Sequence, residues 1–239
     1  MTFRFPALRT LAALLALSAM APAQASGDIH PRIIGGDDAS AGEYPFMAAL
    51  VYDVSKSPAS MPDLYANDYQ AQFCGGTVIA PRWVLTAAHC MPGLQPADLQ
   101  VIAGETKLEN ASDTGLRTAV AAILVHPGYN DNTLLNDIAL LYLAAPVATS
   151  ATFAIDSTSL LLGLVEGDDL TAIGWGVVEE TPSGDVFPYF LQEVQLDYVP
   201  QSVCNSTYYP GDIATTAFCA YYQDNTALPR DTCRGDSGG

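Results

Sequence analysis

The 239-residue chain has few cations, with 9 Lys and Arg against 26 Asp and Glu and a formal net charge of −17. Lys56 and Lys107 are its only lysines, and no two basic residues adjoin. Binding to a phosphate backbone gains from each Lys or Arg that displaces a counterion. A chain this acidic is therefore not expected to bind nucleic acid, whereas its surface suits solubility or a cationic substrate. Histidine is equally scarce, at 3 residues. His30, His89 and His126 share no metal-ligand spacing, and His-Glu-x-x-His does not occur, so neither a zinc site nor any other metal or cofactor is expected. Long apolar runs are also missing. The one extended stretch, Leu11 to Ala23, has 13 residues. As a helix it is too short for a hydrocarbon core of about 30 Å. No membrane span is expected.

That stretch follows Arg4 and Arg9 and precedes Ala23-Gln24-Ala25. A positive head, a short apolar core and small residues at the cleavage spacing mark a secretory signal over 1–25, so the protein is expected to be secreted, extracellular or periplasmic. In an oxidising compartment the five cysteines, Cys74, Cys90, Cys204, Cys219 and Cys233, read as disulfide candidates, with one left over. Spacing alone leaves the pairing open.

Beyond Pro31 the apolar runs are short and punctuated by Gly, Pro, Asn and Asp. They cover Phe46–Tyr52, Gly76–Ile79, Trp83–Ala87, Leu99–Ala103, Ala119–Val125, Ile138–Leu143, Leu170–Ile173 and Leu191–Leu196. This rhythm predicts an all-β sandwich or pair of barrels. Asp53 to Gln72 reads as a long polar loop, and Ala144 to Val165 as a link between two halves.

Histidine is the natural general base near neutral pH. His89 stands at the end of an apolar run and beside Cys90, and Asp137 opens another run where a carboxylate needs hydrogen-bond donors. The chain ends in Asp231-Thr232-Cys233-Arg234-Gly235-Asp236-Ser237-Gly238-Gly239. A serine among glycines allows a tight turn that exposes its hydroxyl and gathers backbone N–H groups. Gly235-Asp236-Ser237-Gly238-Gly239 also fits the nucleophile-elbow pattern Gly-x-Ser-x-Gly, but an α/β-hydrolase needs its acid and histidine after the serine. Here the order is His89, Asp137, Ser237, which is the chymotrypsin order and disfavours an esterase of that other fold.

Arg32-Ile33-Ile34-Gly35-Gly36, Phe73-Cys74-Gly75-Gly76, Thr86-Ala87-Ala88-His89-Cys90, Asn136-Asp137-Ile138-Ala139-Leu140, Gly174-Trp175-Gly176 and the final Gly-Asp-Ser-Gly-Gly occur in the order found in secreted serine proteases of the trypsin/chymotrypsin family, which the chain resembles. The resemblance spans nearly all of Arg32–Gly239 and is specific as a set. It implies an all-β fold of two antiparallel six-stranded β-barrels, a propeptide over 26–32 and a protease domain over 33–239. The N-terminal barrel would take about 33–145 and a partial C-terminal barrel about 146–239. It implies Ser237 as nucleophile, His89 as base, Asp137 as the acid that orients His89, and an oxyanion hole from the backbone of Gly235 and Ser237.

Further implications follow from the same resemblance. Asp231 would lie at the base of the primary pocket and direct cleavage to Arg or Lys. Cutting Arg32–Ile33 would free an amine that pairs with Asp236. Cys74 would pair with Cys90 and Cys204 with Cys219, leaving Cys233 for a partner downstream. Since family members continue past this motif, the second barrel is expected to be incomplete and the chain to be a fragment of a protease. Glu105 matches the start of a calcium loop, but Ser112 and Gly115 stand where further carboxylates would be expected, with Glu109 and Asp113 nearby. Asn110-Ala111-Ser112 and Asn205-Ser206-Thr207 are sequons only for a host that glycosylates. Expected partners are protein or peptide substrates, an activating protease and protein protease inhibitors, with the chain itself a monomer. A non-catalytic binding protein on the same fold is the alternative, and the retention of all three triad residues weighs against it.

Overall fold

A computed structural model describes residues 35–62, 64–108, 117–147, 152–153, 163–182, 184–208, 213–214, 216–222 and 231–239. The signal and propeptide segments, Arg32, Ile33, Glu109, Ser112, Asp113, Gly115 and the Asn110 sequon lie outside them.

Six strands form a closed antiparallel barrel: β2 (Met47–Tyr52), β3 (Gln72–Ala80), β4 (Trp83–Thr86), β5 (Leu99–Ala103), β6 (Thr118–Val125) and β7 (Ala139–Leu143). They are ordered β2-β3-β4-β7-β6-β5. Ala48, Leu50, Val78, Val84, Leu99, Val101, Val120, Leu141 and Leu143 fill this barrel. A second sheet is built on β11 (Gln192–Val199), which pairs with β8 (Asp169–Gly174), β12 (Cys219–Tyr221) and β1 (Asp37–Asp38). β9 (Glu179–Thr181) and β10 (Gly184–Val186) pair as a separate antiparallel hairpin. The all-β expectation is met by this barrel and second sheet. β1 lies in the part of the chain expected to open the N-terminal barrel, yet it pairs with β11. The barrel is already closed and offers no edge, whereas β11 does.

β2 explains how the two halves are joined. Five of its six residues, Met47 to Val51, are buried. Successive side chains point to opposite faces. Ala48 and Leu50 enter the barrel, while Met47, Ala49 and Val51 pack outward with Ile102, Leu108, Trp175 and Leu191. A strand buried on both faces carries a continuous apolar run, and this one does.

The Asp53–Gln72 segment is not a plain loop. It contains short turns and the helical turn α1 (Asp68–Ala71). Asp68, 2% exposed on its side chain, meets Arg117 at 2.7 Å. Arg117 also donates to the carbonyls of Tyr52 at 3.2 Å and Tyr65 at 2.8 Å. One guanidinium thus ties both ends of the insertion to β6. Breaking a buried pair of this kind costs about 3–5 kcal/mol, because the surviving charge is stranded.

The disulfides Cys74–Cys90 and Cys204–Cys219 are both formed, and Cys233 is a free thiol. Each loop closed in this way contributes about 3 kcal/mol. Among the described residues no helix is long and apolar enough to cross a membrane.

Candidate active site

The sheet register brings His89 and Asp137 together. β4 and β7 are antiparallel neighbours, with Thr86 opposite Ala139. Continuing that register past the strand ends sets the turn Ala88–Cys90 against the residue before Ile138. Asn136, at φ 56°, turns the chain just ahead of Asp137. Asn tolerates this left-handed conformation better than most residues. Asp137 Oδ1 accepts the backbone N–H of His89 at 2.7 Å, and Oδ2 lies 2.6 Å from His89 Nδ1. An ionised carboxylate can only accept, so Nδ1 carries a proton, and in the neutral imidazole Nε2 holds the lone pair. The imidazole, with 35% of its side chain exposed, keeps one edge open.

Ser237 is held to the same neighbourhood through its backbone. Its carbonyl accepts the N–H of Gly75 at 2.8 Å. Gly75 adjoins Cys74, whose disulfide ends at Cys90, next to His89. Thr86 Oγ donates to the Gly75 carbonyl at 2.8 Å. The approach depends on glycine. A Cβ on Gly238, at φ +86°, would lie 2.3 Å from Thr86 Oγ1 and 2.8 Å from the Gly75 carbonyl. A Cβ on Gly75 would lie 2.9 Å from the backbone of Gly239. The two Gly-Gly pairs allow the backbones of the two halves to touch, and Ser237 stands at that contact.

The turn before Ser237 is pinned residue by residue. Asp236 is 8% exposed. Its Oδ1 accepts the Gly176 N–H at 2.7 Å and its Oδ2 the Cys233 N–H at 2.8 Å. Burial pushes its pKa up to about 6, against the two backbone donors that lower it, and the charge of Asp231 adds a smaller rise. A Cβ on Gly174 would come within 2.1 Å of this carboxylate, and one on Gly176 within 2.4 Å. Both glycines of Gly174-Trp175-Gly176 are therefore needed to admit it. The Arg234 carbonyl accepts the Val177 N–H at 2.8 Å. In a trans peptide the N–H points opposite the C=O, so this bond aims the Gly235 N–H away from Val177. Gln72 Nε2 donates to the Gly235 carbonyl at 2.7 Å.

Asp231 is exposed, and its Oδ1 accepts the Thr232 N–H at 2.8 Å. A cavity of about 470 Å³ reaches Ser237, with Phe46, Phe153, Ile173, Thr232 and Cys233 among its lining residues. Asp231 is not among them; its near neighbours in sequence are. Cys74, His89 and Cys90 offer ligand atoms within 4.8 Å of one another. Both sulfurs are spent in the disulfide, which leaves a single nitrogen and no metal-binding set. Gln72 and Val177 carried no functional signal in the sequence. Each meets its partner from more than 50 residues away, a pairing that no local motif encodes.

The family model described as Trypsin matches residues 33–239. A trypsin of Saccharopolyspora erythraea is 34% identical over 208 residues, covering 87% of this chain and 80% of that one. A trypsin of Sarcophaga bullata is 33% identical over 218 residues, covering 89% and 74%. Brachyurin of Leptuca pugilator is 33% identical over 212 residues, covering 87% and 80%. The solved structure of the Vibrio cholerae VesB protease superposes with a TM-score of 0.63 at 34% identity. That match covers 79% of this chain and 52% of the VesB chain.

Proposed function

The chain belongs to the trypsin family of serine endopeptidases, and we propose that it cuts peptide bonds after Arg or Lys through His89, Asp137 and Ser237. The observation that carries this reading is the double contact of Asp137 with His89, at 2.7 and 2.6 Å. In the neutral imidazole it places the proton on Nδ1 and leaves the Nε2 lone pair to accept one.

Ser237 Oγ attacks the scissile carbonyl carbon as His89 Nε2 takes the hydroxyl proton. The carbonyl π pair moves onto oxygen, and the oxyanion is met by the N–H groups of Gly235 and Ser237. Each such donor is worth about 3–4 kcal/mol. Collapse expels the amine, which receives the proton from Nε2 and leaves an ester on Ser237. Water then repeats the sequence against the ester and releases the acid. Asp137 stays ionised throughout and stabilises the imidazolium.

The precursor is proposed to be exported and then cut between Arg32 and Ile33. Two disulfides suit an oxidising compartment. Cleavage converts an uncharged peptide nitrogen into the ammonium of Ile33, which is the cation that a buried Asp236 requires.

Specificity for Arg or Lys rests on Asp231, and its exposure sets the size of the test. An ion pair open to water is worth up to about 1 kcal/mol. One covered by substrate and pocket walls costs about 3–5 kcal/mol to break. Asp231→Ser is therefore expected to lower the preference for an Arg amide over a Phe amide by about fivefold if the site stays wet. The loss rises to about 10²-fold or more if substrate seals it. An unchanged preference, measured as the ratio of kcat/KM values, would remove Asp231 from the account.

A further inference from the structure

We propose that Gln72 is a positioning residue for the oxyanion turn, acting through the Gly235 carbonyl; this rests on the reading of Ser237 and Gly235 given above. Gln72 opens β3 at the end of the Asp53–Gln72 insertion and is 5% exposed. Its Nε2 donates to Gly235 O at 2.7 Å. Its Oε1 is buried and has no hydrogen-bond partner among the described residues. A buried acceptor without a partner is unfavourable by about 1–3 kcal/mol. An apolar side chain of similar volume would avoid that cost, so the amide is retained at a net loss unless the donated bond matters.

That bond ties the peptide between Gly235 and Asp236 to the first half, while the N–H of the same peptide donates to the Cys233 carbonyl at 3.1 Å within the turn itself. The Arg234 carbonyl is held by Val177 N–H within the second half, and the Ser237 carbonyl by Gly75 N–H across the two halves. Between them lies Gly235, at φ +100°, with no side chain to restrict rotation. A Cβ there would lie 3.0 Å from Gly176 and 3.2 Å from Gln72 Oε1, so no larger residue can supply the stiffness. Gln72 supplies it from outside. Rotation about Gly235 would swing the neighbouring N–H groups away from a common point, and an oxyanion hole works only when its donors are aimed beforehand.

The insertion gives Gln72 a firm base. Asp68 and Arg117 lock α1 against the barrel, four residues before Gln72. Tyr69 packs its ring on Tyr189 at 4.4 Å, joining the insertion to the second half. The segment expected to be a surface loop is instead a bracket between the barrel and the oxyanion turn.

The test compares wild type, Gln72→Met, Gln72→Glu and the control Gln70→Met. Met keeps the volume and loses the donated hydrogen. Glu keeps the polarity and loses that hydrogen once the pH is high enough to ionise its buried carboxyl, so it is read at a pH where it is ionised. Gln70 is exposed. With the activated protein and an Arg amide, kcat per titrated active site should fall about 10–100-fold in either Gln72 variant. KM should stay within twofold and Gln70→Met should match wild type. By NMR, the Gly235 amide of the full chain should exchange faster in the Gln72 variants, while barrel amides stay protected. Unchanged kcat and Gly235 exchange would overturn the proposal, as would a loss explained by fewer folded molecules. If the wild type cleaves no substrate, the proposed function fails on its own, and Gly235 exchange still decides the role of Gln72.

Discussion

Asp137→Asn is expected to lower kcat by about 10⁴-fold while the barrel stays folded, the magnitude being carried over from the family. The cause is in the two contacts. Asp137 Oδ1 holds the backbone N–H of His89 and Oδ2 faces Nδ1. Asn has one acceptor, and keeping it on the backbone N–H turns its NH₂ toward the ring. Nδ1 must then accept, the ring proton moves to Nε2, and the nitrogen that should receive the Ser237 proton is blocked. Nothing in the β4–β7 register depends on this proton. The loss of one charge-assisted bond costs at most about 1.5–3 kcal/mol of stability. The check is kcat for an Arg ester beside thermal melting. A variant within tenfold of wild type would show that Asp137 does not set the tautomer.

Asp236→Asn is expected to lower kcat/KM of the cleaved enzyme by about 10²- to 4 × 10³-fold. Removing one partner of a buried ion pair costs about 3–5 kcal/mol, and each 1.4 kcal/mol is tenfold. Before cleavage the same residue gives a different signature. Its pKa is raised by burial to about 6 in the folded chain, while the unfolded chain releases that proton near pH 4. Between those values the folded state binds more protons than the unfolded state, so stability falls as pH rises through about 4 to 6. The total is roughly 3 kcal/mol at most. The uncleaved Asp236→Asn chain should lack this slope. Cleavage should remove it from the wild type, because the Ile33 ammonium stabilises the carboxylate. Melting curves from pH 4 to 7 on cleaved and uncleaved protein read all of this. A cleaved Asp236→Asn enzyme with full activity would exclude the pairing.

Each of the eight apolar runs in the sequence became a strand, because every one faces a core. β2 was plainest, being buried on both sides. β1, β9, β10 and β12 left no such mark. They are two or three residues long, and Asp37-Asp38 or Glu179-Glu180-Thr181 carry no apolar alternation. Their strand character comes from pairing with a neighbour, as β1 does with β11. The convergence of His89 with Asp137 came from family likeness, since no spacing encodes the Thr86–Ala139 register behind it. Gln72 and Gly235 are 163 residues apart and belong to no shared motif. Asp231 shows the reverse. The family resemblance implies its place in the pocket, but only a fold decides which way a side chain turns, and here it is exposed.

The most direct measurement is the site and rate of fluorophosphonate labelling of the activated protein. Reaction of Ser237 requires a base to accept its proton and an oxyanion hole to receive the phosphonyl oxygen. The predicted result is one adduct per chain, on Ser237, at a rate that collapses in His89→Ala. No adduct, or one that forms equally fast without the imidazole, would contradict the account.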